Sequence, residues 1–304
     1  MTLAGALAFC LTLVAAAGAP ASLADADYWL VNAARDHGFS EAEAAEAAGL
    51  PVDAAREQLS QGTLPDSVGL SAAGICKVLP YPGGRHPRIG FLEGAINPMR
   101  GTKASVFAPW DQQAYIVVDA PEAIFSNLGL IFLAHTHVPT YWDERNVVLP
   151  DVQWERMADG RLREERGLPN GITFGTEITP TATGAKLRMW LVNGTTERLT
   201  GLRTQVCVML KGLPGFTAQD NGGKIYEAPV AVARAQDGSD KAVLTAWSHT
   251  GRAWGNPDVP CIHADPVFPD ADGGARVEVA GEIVFASGPE IDAARQRLAE
   301  MYAP

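Results

Sequence analysis

The chain has 304 residues, of which 47% are hydrophobic and 19% are charged. This composition is typical of a globular protein with enough apolar residues for a sizeable core. The formal net charge is −11. It excludes nucleic acid and anionic membrane surfaces as main partners, because both carry negative charge.

Residues 1–24 predict a signal peptide. The segment 3–18 is apolar and uncharged, and small residues follow it, as in the apolar core and cleavage region of exported proteins. We expect cleavage after Ala21 or Ala24, although no Lys or Arg precedes the apolar segment. The stretch is short for a membrane span. The prediction is a periplasmic or extracellular protein with no membrane contact beyond export.

Residues 25–60 predict a small acidic helical module. Ser40 and Glu43 have capping-box spacing, and Gly49 is suited to end the helix that they begin. The layout resembles a helix-turn-helix, but Asp25 to Leu59 contains eight acidic residues and two arginines, a net charge of −6. A recognition helix needs basic residues against phosphate. We expect the module to pack on the main domain or to bind a protein partner.

After a linker at 61–75, residues 76–286 are rich in short β-type runs separated by turn residues. The runs that predict strands are Ala114–Val118, Gly129–Ala134, Lys186–Val192, Gln205–Leu210, Ala242–Trp247 and Arg276–Phe285. The Asn193-Gly194 turn suggests that the strands on either side of it are antiparallel neighbours. The predicted fold class is mainly β, an antiparallel β-sandwich preceded by the helical module.

Residues 287–304 predict a C-terminal helix. Ile291, Ala294, Leu298 and Met301 would form its apolar face.

Three cysteines follow the predicted signal peptide, namely Cys76, Cys207 and Cys261. Export would permit a disulfide, so one pair and one free thiol is one arrangement. Three buried, unpaired cysteines are the other. No Cys₄ zinc pattern is present.

The strongest candidate site residues are His135 and His137, which follow a hydrophobic run. If the strand continues, both imidazoles point to one face, two residues apart. Such a pair could ligate a divalent metal or act in acid–base catalysis. Ordinary hydrogen bonding at a strand end is the alternative, and we predict both residues as catalytic.

A second candidate region contains Trp254, His263 and Asp265. Its Gly, Pro and Asn content indicates a surface loop, where Trp and His often bind ligands. We predict Trp254 and His263 as substrate-binding residues. His263 and Asp265 could complete a metal shell with His135 and His137.

Further substrate-binding candidates are Arg85, His86, Trp142 and Lys211. Arg85 and His86 follow the Gly83-Gly84 turn, and the arginine fork suits carboxylates or sugar hydroxyls. Lys211 ends an apolar run, and Trp142 could stack on the apolar face of a sugar. For each of these residues the alternative is a structural role, either ion pairing or core packing.

Residues 79–285 resemble a family of uncharacterised secreted bacterial proteins. Tyr81–Phe91, Leu133–His137 and Ala253–Pro257 carry this resemblance. More loosely, Leu128–Phe132 with the following histidines, and Leu187–Gly194, resemble the galactose-mutarotase-like supersandwich group. That group includes epimerases, lyases, hydrolases and non-catalytic domains. Its aldose epimerases use a His acid and a carboxylate base, which would assign the acid to His135 or His137.

The sequence therefore suggests an exported protein that binds a sugar or uronate in a cleft lined by His, Arg and Trp. If the protein is an enzyme, it also processes this ligand as an epimerase, lyase or hydrolase. The alternative is a non-catalytic carbohydrate- or protein-binding sandwich of the cell envelope. A divalent metal is the cofactor that the histidines suggest.

Overall fold

The computed structural model describes residues 24–69, 74–84, 101–134 and 138–303. Its helices are α1 Asp25–Val31, which continues as a π-helical turn over Asn32–Asp36, α2 Glu41–Ala48, α3 Val52–Ser60 and α4 Glu290–Met301. Among these residues, no helix is long and apolar enough to cross a membrane. The predicted signal peptide lies almost wholly outside the described residues and stays a prediction.

The strands form two antiparallel sheets. In chain order they are β1 Val78–Pro80, β2 Lys103–Phe107, β3 Tyr115–Ser126, β4 Gly129–Leu133, β5 Glu155–Arg156, β6 Leu162–Gly167, β7 Thr173–Thr181, β8 Gly184–Val192, β9 Arg203–Met209, β10 Lys224–Glu227, β11 Val230–Arg234, β12 Lys241–Trp247, β13 Thr250–Trp254, β14 Cys261–Pro266 and β15 Arg276–Ser287. The first sheet has the order β1-β2-β3-β9-β14-β13, with β4 also paired to β3. The second has the order β10-β11-β12-β15-β8-β7-β6-β5.

The predicted antiparallel β-sandwich is confirmed, and each of the six predicted runs lies largely within a strand. The predicted pairing across Asn193 is wrong, because β8 belongs to the second sheet and β9 to the first. The buried Asn193 amide donates to the carbonyls of Glu197 and Ala271, so it stabilises a crossing between the sheets. A turn signal marks where the chain reverses but does not identify the partner strand.

The core lies between the inner faces of the sheets. Val118, Val208 and Ile262 of the first sheet share one buried cluster with Phe174 and Leu187 of the second. Strand alternation produces this arrangement, since every second side chain faces the opposite sheet. On the first sheet, the residues that alternate with these core residues along each strand point to the outer face.

The helical module packs on that outer face. Leu30 and Phe39 join Tyr81, Phe107 and Tyr115 of the sheet in a second buried cluster. This is the first of the two roles predicted for the module, while a protein partner stays a prediction. The predicted capping box is confirmed, because the Ser40 hydroxyl accepts from the Glu43 N–H and the Glu43 carboxylate accepts from the Ser40 N–H.

Polar contacts fix the module in place. The Asn32 amide donates to the Pro80 carbonyl at 3.0 Å, and a His37 ring nitrogen lies 2.7 Å from the Ser105 hydroxyl. The Asp36 carboxylate is 2.7 Å from the Lys77 ammonium. These contacts hold the module against the part of the outer face that carries Tyr81, Phe107 and Tyr115.

Helix α4 packs on the outer face of the second sheet through Ile291 and Leu298. Met301, predicted on the same apolar face, is 56% exposed. That part of the prediction is wrong, because Met301 ends the helix and the buried Tyr302 takes the place against the sheet.

Glu164 is a carboxyl group buried inside the sandwich. Glu164 and Arg166 of β6 lie on the inner side with Leu162, and neither carboxylate oxygen of Glu164 has a hydrogen-bond partner among the described residues. Burial raises the pKa of Glu164 to about 8, despite the neighbouring charge of Arg166. The folded protein therefore holds a proton on Glu164 that the unfolded chain releases at lower pH.

We expect stability to fall as pH rises from the unfolded pKa of about 4.5 to about 8, because the folded state then binds more protons than the unfolded state. Glu164→Gln removes this group, so the variant should be more stable than the wild type above pH 8 by a few kcal/mol, and the difference should shrink near pH 5. Urea unfolding at several pH values measures this. The exposed Glu155→Gln is the control, and a pH-independent difference for Glu164→Gln would contradict the assignment.

Candidate functional site

The outer face of the first sheet also carries a cluster of ionisable and thiol side chains, called here the polar half, whose two cysteines share one buried cluster with Leu30 and Phe39 of the helical module. The members of the polar half come from β3, β9, β13 and β14, and they are Asp119, Glu122, Cys207, Arg252, Trp254, Cys261, His263 and Asp265. Most of them are buried, whereas the Arg252 side chain is 54% exposed. The cluster combines acids, a base, thiols and an aromatic ring.

Strand alternation on β14 brings three of these groups to one face. Cys261, His263 and Asp265 point outward, whereas Ile262 and Ala264 between them join the core. On the neighbouring strand β9, Cys207 lies directly opposite His263. One short segment thus places a thiol, an imidazole and a carboxylate in a row.

An irregularity in β3 adds the acidic side of the cluster. Asp119 pairs with Cys207 and Ala123 pairs with Gln205, so four steps along β3 match two steps along β9. In a regular strand, Asp119 and Glu122 would point to opposite faces. The extra residues act as a bulge that turns Glu122 outward, where its carboxylate lies 3.9 Å from His263 Nδ1.

Asp265 holds the cluster together. Its carboxylate accepts from the Val206 N–H at 3.0 Å, from Arg252 Nε at 2.9 Å and from Trp254 Nε1 at 2.6 Å. One of its oxygens lies 3.5 Å from His263 Nδ1. Burial acts to raise the pKa of Asp265, but the charge and hydrogen bonding of His263, together with the other donors, lower it below its usual value.

Trp254 and Arg252 close the edge of the cluster. The indole stacks on the His263 ring with 4.3 Å between centroids and 26° between planes. The Arg252 guanidinium lies over the Trp254 ring, 4.3 Å from its centroid. Burial alone would lower the pKa of His263, but hydrogen bonding with Asp265 and Cys261 and the charge of Glu122 raise it to about 10.

The two cysteines of the cluster perturb each other's pKa. A hydrogen bond from the Cys207 thiol, opposed by burial and reinforced by His263, lowers the pKa of Cys261 to about 4. The same hydrogen bond, together with burial, raises the pKa of Cys207 well above its usual value. Ligand atoms of Cys207, Cys261 and His263 lie within 4.8 Å of one another, so these residues could hold a metal ion. Among the described residues they are the one group of this kind.

In the part of the chain that the structure describes, no disulfide is formed. Cys76, Cys207 and Cys261 are all buried and unpaired, which is the second arrangement considered from the sequence. Cys76 lies apart from the cluster, and its thiol is 3.6 Å from the Ala182 carbonyl. Burial raises the pKa of Cys76 to about 11.

The structure brings three predicted site residues together, namely Trp254, His263 and Asp265. The predicted surface loop around them is wrong, because Thr250–Trp254 and Cys261–Pro266 are paired strands. The Gly, Pro and Asn residues that suggested a loop occupy the hairpin connection between the two strands.

Two other predicted binding residues lie elsewhere. Trp142 is 4% exposed, packs in the sandwich core and donates its indole N–H to the Ile131 carbonyl. Its ring is therefore not available to a ligand, and its predicted role is corrected to core packing. Lys211 lies in the turn that follows β9, four residues beyond Cys207 in the sequence.

The remaining predicted site residues, Arg85, His86, His135 and His137, lie outside the described residues. The backbone N–H of Ala134, which precedes His135 in the sequence, donates to the Glu122 carbonyl at 2.7 Å. The Ala134 carbonyl accepts from the Lys103 ammonium at 3.4 Å, and that ammonium is 3.8 Å from Asp119.

The sequence reasoning missed Glu122, Cys207, Cys261 and Arg252 as members of the site. One signal could have indicated Cys261, since Cys-x-His-x-Asp over 261–265 alternates with the period of a strand. Cys207 and Glu122 have no such signal. The first depends on the pairing of β9 with β14, and the second depends on a bulge.

No protein-family model and no curated protein matches the chain. A solved structure from Synechocystis sp. PCC 6803 is similar with a TM-score of 0.36 and 10% identity, over 62% of this chain and 88% of that one. A proposed aldose 1-epimerase from Klebsiella pneumoniae subsp. pneumoniae MGH 78578 has a TM-score of 0.35 and 11% identity, over 60% and 65%. A proposed kojibiose phosphorylase from the human microbiome has a TM-score of 0.38 and 6% identity, over 77% and 36%.

With TM-scores of 0.38 or less, none of these similarities assigns a site or an activity to this chain.

The central role of Asp265 can be tested through stability. Asp265→Asn removes the charge beside His263 and weakens three hydrogen bonds, so we expect a loss of about 3 kcal/mol in the free energy of unfolding, as for other broken buried ion pairs. Urea denaturation at neutral pH measures it. The control is Asp270→Asn, a partly exposed partner of Arg198, which should change stability by less than about 1 kcal/mol. Equal effects of the two substitutions would contradict the assignment.

Proposed function

We propose that the protein binds a carbohydrate, a neutral sugar or a uronate, on the polar half of the outer face of the first sheet. The observation that carries this proposal is the group formed by Glu122, His263 and Asp265, which is flanked by a half-exposed arginine on a tryptophan ring. Sugar sites commonly combine aromatic rings with a few convergent polar groups.

Arg252 is the proposed first contact of the ligand. Its Nε is held by Asp265, and its side chain is 54% exposed, so guanidinium N–H groups remain accessible to a ligand. A guanidinium fork suits the carboxylate of a uronate or two neighbouring hydroxyls. The Trp254 ring already contacts the His263 ring and the Arg252 guanidinium, so Arg252 and not the indole face is the proposed contact.

The groups behind Arg252 are suited to processing as well as binding. A carboxylate and an imidazole 3.9 Å apart, as in Glu122 and His263, are group types that transfer protons to and from sugar oxygens. His135 and His137 stay the predicted acid–base residues of the same proposal. They follow Ala134, whose backbone is hydrogen-bonded to Glu122. The predicted export would place this activity in the periplasm or outside the cell.

Calorimetric titration with a panel of neutral sugars and uronates tests the proposal. We expect at least one sugar to bind, and Arg252→Met to weaken that binding by about tenfold or more, because a charged hydrogen-bonding partner is lost. Arg276→Met is the matched control. Arg276 lies over Trp190, 4.9 Å from the ring centroid, and pairs with Glu278, but it belongs to the second sheet. The control variant should bind as the wild type does.

The same samples distinguish an enzyme from a binding domain. Nuclear magnetic resonance of the sugar after incubation detects a change of anomer, epimer or linkage, and an unchanged sugar that still binds identifies the non-catalytic alternative. Absence of binding across the panel, or equal loss in the Arg252 and Arg276 variants, would contradict a sugar site on the polar half.

A further inference from the structure

Cys207, Cys261 and His263 are placed as ligands of one ion. His263 and Cys207 are a direct cross-strand pair, and Cys261 lies two residues from His263 on the same face of β14. The possible ligand atoms are all within 4.8 Å of one another. In a tetrahedral site with zinc–sulfur bonds of about 2.3 Å and zinc–nitrogen bonds of about 2.0 Å, ligand atoms are about 3.5 to 3.8 Å apart. Movements of about 1 Å or less would therefore close the three ligands around an ion.

The surroundings of His263 match those of a metal-bound imidazole. Such an imidazole usually directs its second ring nitrogen at a carboxylate or carbonyl, which fixes the orientation of the ring. His263 Nδ1 lies 3.5 Å from Asp265, and Asp265 is itself held by a backbone N–H, Arg252 and Trp254. The stacked Trp254 ring fixes the plane of the imidazole. The orientation of the His263 ring is therefore fixed in the absence of a bound ion.

The ligand types select the class of ion. Thiolates and imidazole favour Zn²⁺ and Cu⁺, whereas Ca²⁺ and Mg²⁺ require oxygen ligands. Two thiolates would balance the charge of a divalent ion in a buried site. Glu122 lies 3.9 Å from His263 Nδ1, the ring nitrogen that also faces Asp265, so it helps to orient the imidazole. The metal ligands predicted from the sequence shared only His263 with this set.

We propose that Cys207, Cys261 and His263 bind one thiophilic metal ion of the Zn²⁺ or Cu⁺ class. Cys76 provides a comparison, since it is also buried and unpaired but lies apart from the cluster. The site does not depend on the proposed sugar binding. An ion here would bind the imidazole that stacks on Trp254, on the same polar half as the proposed sugar.

Titration of the reduced, metal-free full-length chain with Co²⁺ tests the site. We expect one equivalent to produce the near-ultraviolet thiolate charge-transfer band and the intense visible bands of tetrahedral cobalt, and one equivalent of Zn²⁺ to remove them. Cys207→Ser should reduce the charge-transfer band and weaken Zn²⁺ binding by more than about tenfold. Cys76→Ser should leave the spectrum and the Zn²⁺ affinity unchanged.

A second measurement keeps the test valid if Cys207→Ser fails to fold, which circular dichroism would detect. In the wild type, Zn²⁺ should slow iodoacetamide labelling of Cys207 and Cys261 but not of Cys76. The proposal is overturned if reduced wild-type protein shows no thiolate–cobalt band, if the band survives Cys207→Ser unchanged, or if Zn²⁺ affects all three cysteines equally. Each of these results concerns metal binding alone, so a failed sugar titration would leave the metal proposal unaffected.

Discussion

The Asp265 carboxylate is the interaction on which the polar half of the first sheet depends. It lies on β14, accepts a backbone hydrogen bond from β9 and two side-chain hydrogen bonds from β13, and lies beside His263. A buried charge is stable only when it is paired and hydrogen-bonded, so these partners have to keep their positions. The carboxylate thus links three strands and fixes the imidazole around which the thiols and Glu122 gather.

This arrangement explains why the outer face of one sheet has two different characters. On one half, the N-terminal helices cover aromatic residues such as Tyr81, Phe107 and Tyr115, and that half serves stability. Beside them, β14 and the bulged part of β3 supply an imidazole and carboxylates that a stable core does not need, while the thiols of Cys207 and Cys261 lie in the buried cluster under the helices. Perturbed pKa values at Cys261 and His263 coincide with the polar half, as is common for functional sites. The sandwich supplies the rigid support on which the proposed site lies.

Much of the fold could be predicted from the sequence, because strand alternation and helix caps are local signals. Ser40 with Glu43, and the apolar runs of β8, β12 and β15, have the predicted structure. The prediction was wrong where pairing is not local, as in the placement of β8 and β9 in different sheets. The site residues, too, were predicted where the signal is local and missed where it depends on strand pairing. His263 and Asp265 are close in sequence and were found together, whereas Cys207 and Glu122 join them only through strand pairing and a bulge. Trp142 was misassigned because a tryptophan beside polar residues has the same local sequence in a core as at a surface.

X-ray diffraction from crystals grown with Zn²⁺ tests most directly whether the polar half is built to bind. An anomalous difference map at the zinc absorption edge locates the ion without any assumption about the reaction. The arrangement around Asp265 predicts one strong peak bonded to the sulfurs of Cys207 and Cys261 and to a ring nitrogen of His263, with the second ring nitrogen facing Asp265. Zinc peaks confined to exposed carboxylates, or a sulfur–sulfur bond between the two cysteines, would contradict it.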